Sequence, residues 1–377
     1  MKSNTIKYIV ISDIHLGHRN NSAKNIIDNM KVFFNNYAIR KDGLDIIFIA
    51  GDLFDSLLDL SKDDIYDIIV WLDIFMNYCF VNNIKLRILE GTPSHDWKQS
   101  KLSTIVHDIC KTKIDILYVD TLYIEKNADL DINILYIPDE WNTDTSITYN
   151  QALSLMKENK IDKVDIVIMH GQFQYQLPNP NIKAPKHIES DYLNITKYLI
   201  HIGHVHQYSI FERIIAQGSF DRLSHGDEIP KGGTYNVINI DGSYESVFIE
   251  NKLAKTFVTL NVKEMSLEKS LDYIEKKTKN LRVDSFVRIK AKKDSVVFKN
   301  FELIKKKFID LRLSKFTDDE DTSMVSTYVD INLGEYEPII LRPETIEGAL
   351  VSVIESKYTL DSDSMNILKS QLKEAMK

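Results

Sequence analysis

The 377-residue sequence predicts an α/β fold on three observations. Short β-branched runs alternate with helix-period segments over residues 6 to about 120. Five apolar runs stop just before an Asp, a Glu, a Gly or a His. The 44% hydrophobic content is that of a globular chain able to build a full core.

Short apolar runs bounded by turn residues read as buried strands. The run 7–12 (KYIVIS) leads into Asp13-Ile14-His15, and 45–50 (DIIFIA) leads into Gly51-Asp52. Leu57 to Asn83 carries a helical pattern, with Ile65, Ile68, Ile69, Leu72, Phe75 and Met76 on one side. The run 84–89 precedes Glu90-Gly91 and then Ser94-His95-Asp96. Residues 121–137 read as strands and 147–160 as a helix. The run 164–169 ends at His170, and 198–202 ends at Gly203-His204-Val205-His206. Short strands and Gly turns over 212–250 close a first domain, 1–250.

A second block, 251–333, reads as a strand-helix-strand unit. Leu267, Leu271 and Ile274 mark a helix, 285–291 alternates as a half-buried strand, and Phe301 to Phe308 is helical again. The remainder, 334–377, reads as a linker and a helical tail with Pro343 in its first turn. Ile346, Leu350, Val353 and Ile354 form one apolar stripe there; Met365, Leu368, Leu372 and Ala375 form another.

Polar residues just past the carboxyl ends of strands occupy the place where open α/β sheets put their sites. An ordered set of Asp and His suits two divalent ions about 3.5–4 Å apart, which clamp the attacking and leaving oxygens of a phosphate ester. Carboxylates suit Mn²⁺ and Mg²⁺, whereas imidazole suits borderline ions, so the mixture favours Mn²⁺, Fe²⁺ or Zn²⁺ over a pure Mg²⁺ cage. Asp52 is the natural bridging carboxylate. Gly51 and Gly203 let the backbone turn sharply beside the ligands.

The order D-x-H, G-D, H-[DE], H and G-H-x-H resembles the calcineurin-like metallophosphoesterases. Within them, the GDLFD segment at 51–55 is similar to an element of the SbcD-type nuclease subunits of double-strand-break repair, phage versions included. The segment 217–222 (QGSFDR) resembles a Gly-Ser segment that those nucleases carry after G-H-x-H. The motifs span residues 6 to about 228. The resemblance implies a four-layer α/β/β/α sandwich, a small α+β capping domain and C-terminal helices.

It also implies that Asp13, His15 and His206 hold one metal, that His170 and His204 hold the other, and that Asp52 bridges them. His95 would stay unligated as general acid or transition-state stabiliser, oriented by Asp55. Water activated by the metals, with Mn²⁺ preferred, would be the nucleophile. The partners implied are DNA, a coiled-coil ATPase subunit of SbcC type that grips the helical tail, and a second copy of the chain. One departure stands out. The family reads G-N-H-[DE] with Asn as a ligand, whereas this chain reads Gly91-Thr92-Pro93-Ser94-His95-Asp96. Ser94 takes the Asn place if His95 is held in register, and Thr92 or a water are the alternatives.

Other features bound the possibilities. A formal net charge of −8 argues against a generally basic nucleic-acid-coating protein but leaves room for a local patch. Lys276, Lys277 and Lys279 with Arg288, Lys290, Lys292 and Lys293 form the candidate DNA-facing cluster, with a solvated face as the plain alternative. Arg19 and Asn20 are better placed near a phosphate. His18, His107, His187, His201 and His225 read as hydrogen-bonded structural histidines, and Asp318 to Asp321 as a solvated loop. Cys79 and Cys110 read as buried reduced thiols. No stretch approaches the roughly 18 apolar residues of a membrane span, and the chain runs straight into a strand without a signal peptide. Both point to the cytoplasm, the host's if the chain is phage-encoded. The alternatives to a nuclease are a phosphatase or cyclic-nucleotide phosphodiesterase on the same fold, and a binding scaffold with weakened catalysis.

Overall fold

The structure, a computed structural model, describes residues 5–317 apart from 37–38, 40–42, 59–62, 140–141, 143, 178–183, 228–229 and 240. The chain divides into two units, Met1–Asp318 and Asp319–Lys377, and every described residue belongs to the first. The acidic run 318–321, the linker and the helical tail expected over 334–377 lie outside the described residues.

The chain is a mixed α/β protein rich in parallel strands. In the first sheet, β1 (Thr5–Ile11), β2 (Ile46–Ala50), β3 (Lys85–Leu89) and β4 (Ile116–Val119) run parallel in sequence order. The hairpin of β11 (Gly232–Asn239) and β12 (Tyr244–Glu250) adds to the β1 edge antiparallel. The second sheet has the order β5-β6-β7-β8-β10-β9. Its parallel centre is β6 (Ile132–Ile137), β7 (Val164–Gly171), β8 (Thr196–His204) and β10 (Ile214–Ala216). The antiparallel edges are β5 (Tyr123–Asn127) and β9 (Ser209–Phe211).

Strand alternation explains why these runs are apolar throughout. On β1, Ile9 and Ile11 turn to one core and Tyr8 and Val10 to another. A strand buried on both faces needs no polar alternate positions. The first core joins that sheet to α1 (Ala23–Phe34), α2 (Asp63–Val81) and α4 (Leu102–Cys110), which flank the one-turn α3 (Pro93–Asp96). Ser22 caps α1 by accepting from Asn25 N, and Ile26, Met30 and Phe33 form its buried stripe. The second core joins β6, β7 and β8 to α5 (Thr145–Glu158) and α6 (Glu189–Ile195). A third core sits between the sheets, where Tyr8, Val10, Ile46 and Phe48 meet Ile134, Tyr136, Ile166 and Ile168.

Two polar bridges cross that inner layer. Arg87 on β3 makes a bidentate pair with Glu125 on β5, at 2.9 and 2.7 Å, and the Tyr136 hydroxyl donates to the same carboxylate. His201 on β8 lies 3.1 Å from the Tyr8 hydroxyl and 2.8 Å from Gln217 Nε2. Such groups are tolerated in a dry layer because each is satisfied.

Three expectations need correction. The helix expected from Leu57 does not include Leu57 and Leu58, whose loop is held where Leu58 N donates to Gln99 Oε1; the described helix is Asp63–Val81, and 59–62 lie outside the described residues. The second block carries a third strand. β13 (Phe257–Asn261), β14 (Phe286–Lys290) and β15 (Arg312–Phe316) form a parallel sheet with α7 (Leu267–Thr278), α8 (Val296–Lys299) and α9 (Phe301–Lys307) and their own core. Finally, Cys79 is buried, but Cys110 at the end of α4 is exposed.

Candidate metal centre

Asp13, Asp52, Thr92, His170 and His204 all come from the carboxyl ends of parallel strands, three from the first sheet and two from the second. The backbone stitches these ends together. Asp13 N donates to Gly51 O at 3.1 Å, Ile14 N and His15 N both donate to Asp52 O, and His204 N donates to both Asp13 carboxylate oxygens at 3.0 Å. The loops are strained: Asp13 (φ 49°), His15 (54°), Asp52 (49°) and His204 (98°) all have left-handed backbones. Such conformations cost on the order of 1–3 kcal/mol each in non-glycine residues and gather at functional sites. Gly51, at φ 87°, has no room for a side chain, since a Cβ would run into the His170 ring. A Cβ at Gly203 would meet Ser12 Oγ and Ala50 O.

Three overlapping groups of donor side chains result: Asp13-His15-His206, His15-Asp52-His95 and Asp52-His170-His204. Asp52 faces both ways. Its Oδ2 is 3.8 Å from His15 Nε2, and its Oδ1 is 3.3 Å from His170 Nε2.

The donor chemistry fits cations. His170 Nδ1 donates to the Ala50 carbonyl at 2.8 Å, so the neutral ring turns its Nε2 lone pair toward Asp52. His15 Nε2 and His206 Nε2 face each other at 3.1 Å. His15 Nδ1 is buried without a hydrogen-bond partner; Asp55 Oδ1 lies 3.4 Å away but out of hydrogen-bond geometry. Lone pairs converging on one point need a shared proton or a cation between them. Without a metal, protons fill that need. Burial works to lower His170, but the Asp52 charge outweighs it and lifts the imidazole to about 10. Burial likewise works to raise Asp52, yet His170, His15 and His95 hold it well below the carboxylate range. His204 is pushed down by burial and by the neighbouring His170.

The structure brings together Asp13, His15, Asp52, His170, His204 and His206, with His95 beside them. It does not bring in Ser94, which is exposed. Thr92 stands there instead: its Oγ1 is 3.4 Å from Asp52 Oδ2, 3.3 Å from His170 Nε2 and 3.2 Å from His204 Nδ1, and its N donates to Asp52 Oδ1. Pro93 starts a helical turn that swings Ser94 outward. Asp55 meets His95 differently from expectation. His95 Nδ1 donates to the Asp55 main-chain carbonyl at 2.8 Å, while the Asp55 carboxylate faces His15 and His18.

Three residues carry no earlier expectation. Asp227 lies 3.5 Å from His206 Nδ1 and, against the cost of burial, is itself held down by that ring. Buried Lys231 donates to His206 O and Ser219 Oγ. Asp139 biases His170 and His204 electrostatically. Asp139 lies just past β6, where the strand-end signal could have found it; Asp227 and Lys231 meet the site only through long-range contacts. The basic cluster is not one surface. Val287 and Ile289 face the α7 side, so strand alternation turns Arg288 and Lys290 the other way, over Phe316, and Lys292 pairs with Glu264.

Of the remaining histidines, His201 and His187 are buried and hydrogen-bonded, the latter to the Tyr192 hydroxyl at 3.0 Å. His107 sits part-exposed beside Asp108, and His225 packs on Phe257.

No family model and no curated protein matches the chain. Among solved structures, a crystal structure with no stated function aligns at 10% identity and TM-score 0.39, over 65% of this chain and 99% of its own. Acinetobacter baumannii MurG aligns at 10% identity and TM-score 0.18, over 88% and 91%. Likenesses this weak carry no argument about function. Among the described residues no helix is long and apolar enough to cross a membrane.

Proposed function

We propose that the chain is a two-metal phosphodiesterase acting on DNA, the nuclease subunit of a recombination or repair complex with a coiled-coil ATPase partner. One observation carries the reading: three His/Asp groups linked through His15 and Asp52. The helix-sheet-sheet-helix cores agree with the four-layer sandwich expected of calcineurin-like metallophosphoesterases. DNA, the ATPase, dimerisation and tail docking come from the sequence motifs.

Asp13, His15 and His206 would hold one ion, and His170, His204 and the Thr92 hydroxyl the other, with Asp52 shared. When bound, the ions activate water toward neutral pH and neutralise phosphate charge. Asp227 fixes the His206 ring through Nδ1, and the Ala50 carbonyl fixes His170, the outer contacts that orient ligating imidazoles. His95, pinned through Nδ1, would turn Nε2 to the substrate and serve as general acid or transition-state stabiliser at the leaving oxygen.

The test is phosphodiester hydrolysis by the full chain in Mn²⁺, which should exceed that in Mg²⁺. Asp52→Ala should abolish it. His95→Ala should keep both metals and lose about 10²–10⁴-fold in rate. A chain that cleaves no phosphodiester in any divalent metal would overturn the reading, as would an Asp52→Ala protein of wild-type activity. Preference for a phosphomonoester would move it to the phosphatase alternative.

A further inference from the structure

Trp97 is 57% exposed and lies two residues beyond His95, so their Cα atoms are within about 7 Å. A single exposed aromatic is ordinary. This one is held out by a rigid and strained loop. Trp97 (φ 47°) and Lys98 (φ 58°) are consecutive left-handed residues, a genuine outlier for a bulky side chain. The loop is tied from several sides. Trp97 Nε1 donates to Ser94 O at 2.8 Å, so the indole is fixed on its own turn. The buried Asp96 carboxylate accepts from Phe54 N and Gly91 N, and Lys98 N donates to Glu90 Oε1. Gln99 clamps the neighbouring loop, donating to Ser56 O and accepting from Leu58 N. That loop carries a second exposed apolar side chain, Leu57, 66% exposed and two residues past Asp55.

The two stitched loops thus bring Asp55 and His95 to the donor cluster and leave Leu57 and Trp97 exposed two residues further along each loop. We propose that Trp97 is a base-stacking platform that positions a nucleobase of the substrate next to the scissile phosphate. The inference rests on the nuclease reading above and names a residue that positions its substrate. An indole face stacks on any nucleobase, which makes such a platform tolerant of sequence. A base paired within a duplex is already stacked on both faces, so a single strand or a frayed end presents itself at least cost.

The experiment compares a short single-stranded oligodeoxynucleotide with bis(p-nitrophenyl) phosphate, a diester without a base, using the full chain in Mn²⁺. Trp97→Ala should lose about tenfold more kcat/KM on the oligonucleotide than on the small diester, mainly through KM. Trp97→Phe should recover most of that difference, and Trp97→Leu should not. In the wild type, tryptophan emission should be quenched by the oligonucleotide, and Trp97→Phe should remove most of the quench. Equal losses on the two substrates, rescue by Leu as good as by Phe, or a quench that survives Trp97→Phe would each overturn the stacking role while leaving the nuclease reading intact. A wild-type chain that hydrolyses neither substrate would overturn both.

Discussion

At the scale of single residues, the site turns on which oxygen completes the second group of donors. Ser94 and Thr92 are two positions apart, and spacing from His95 favours Ser94. The structure separates them through one turn of helix: Pro93 occupies its start, Thr92 stays below with Asp52, and Ser94 points to solvent. Thr92→Val keeps the shape and removes the hydroxyl, so it should weaken binding of one of two Mn²⁺ ions about 10- to 100-fold, the range seen when a metal site loses a supporting group. Ser94→Ala should leave both affinities unchanged. Calorimetric titration with Mn²⁺ checks the pair, and the reverse result would return the ligand role to Ser94. The Asp and His positions were legible because each lies at or shortly past the end of a short β-branched run bounded by turn residues, which reads as a buried strand. Asp227 was not, because nothing local marks a carboxylate that reaches His206 from 21 positions away.

At the scale of elements, the inner parallel strands β1, β2, β3, β7 and β8 were legible as apolar runs, and the central helices as periodic stripes. The third strand of the second block was not. Its RLSKF sequence buries only Phe316 and leaves three of five side chains exposed, so it lacks the pattern that marks a core strand. The bridge between β1 and β8 gives a test of how the sheets are joined. Gln217 presents its amide N–H to His201 Nδ1, so the neutral ring carries its proton on Nε2, toward Tyr8. A second proton would have to face a donor in a dry layer, and burial lowers His201 to about 3. The unfolded imidazole still takes a proton at its ordinary value. Stability is therefore full above pH ~6.5 and falls as pH drops from there toward 3, by ~1.4 kcal/mol per pH unit for this one group. Denaturant unfolding of His201→Gln across pH 4–7 should show a slope shallower by about that amount. An unchanged slope would mean that His201 is not buried neutral.

At the scale of the whole molecule, the candidate metal centre sits on the seam between two sheets. The first sheet supplies Asp13, His15, Asp52 and Thr92 from its strand ends, and the second supplies His170, His204 and His206. Asp52 is where the halves meet, with one oxygen toward each. The central claim is that this carboxylate is shared by two ions. Electron paramagnetic resonance of the full chain loaded with two equivalents of Mn²⁺ tests it most directly. The account predicts an exchange-coupled pair of ions in the wild type and loss of the coupling in Asp52→Ala. A wild-type spectrum of isolated, uncoupled Mn²⁺ at two equivalents, or saturation by a single ion, would contradict it.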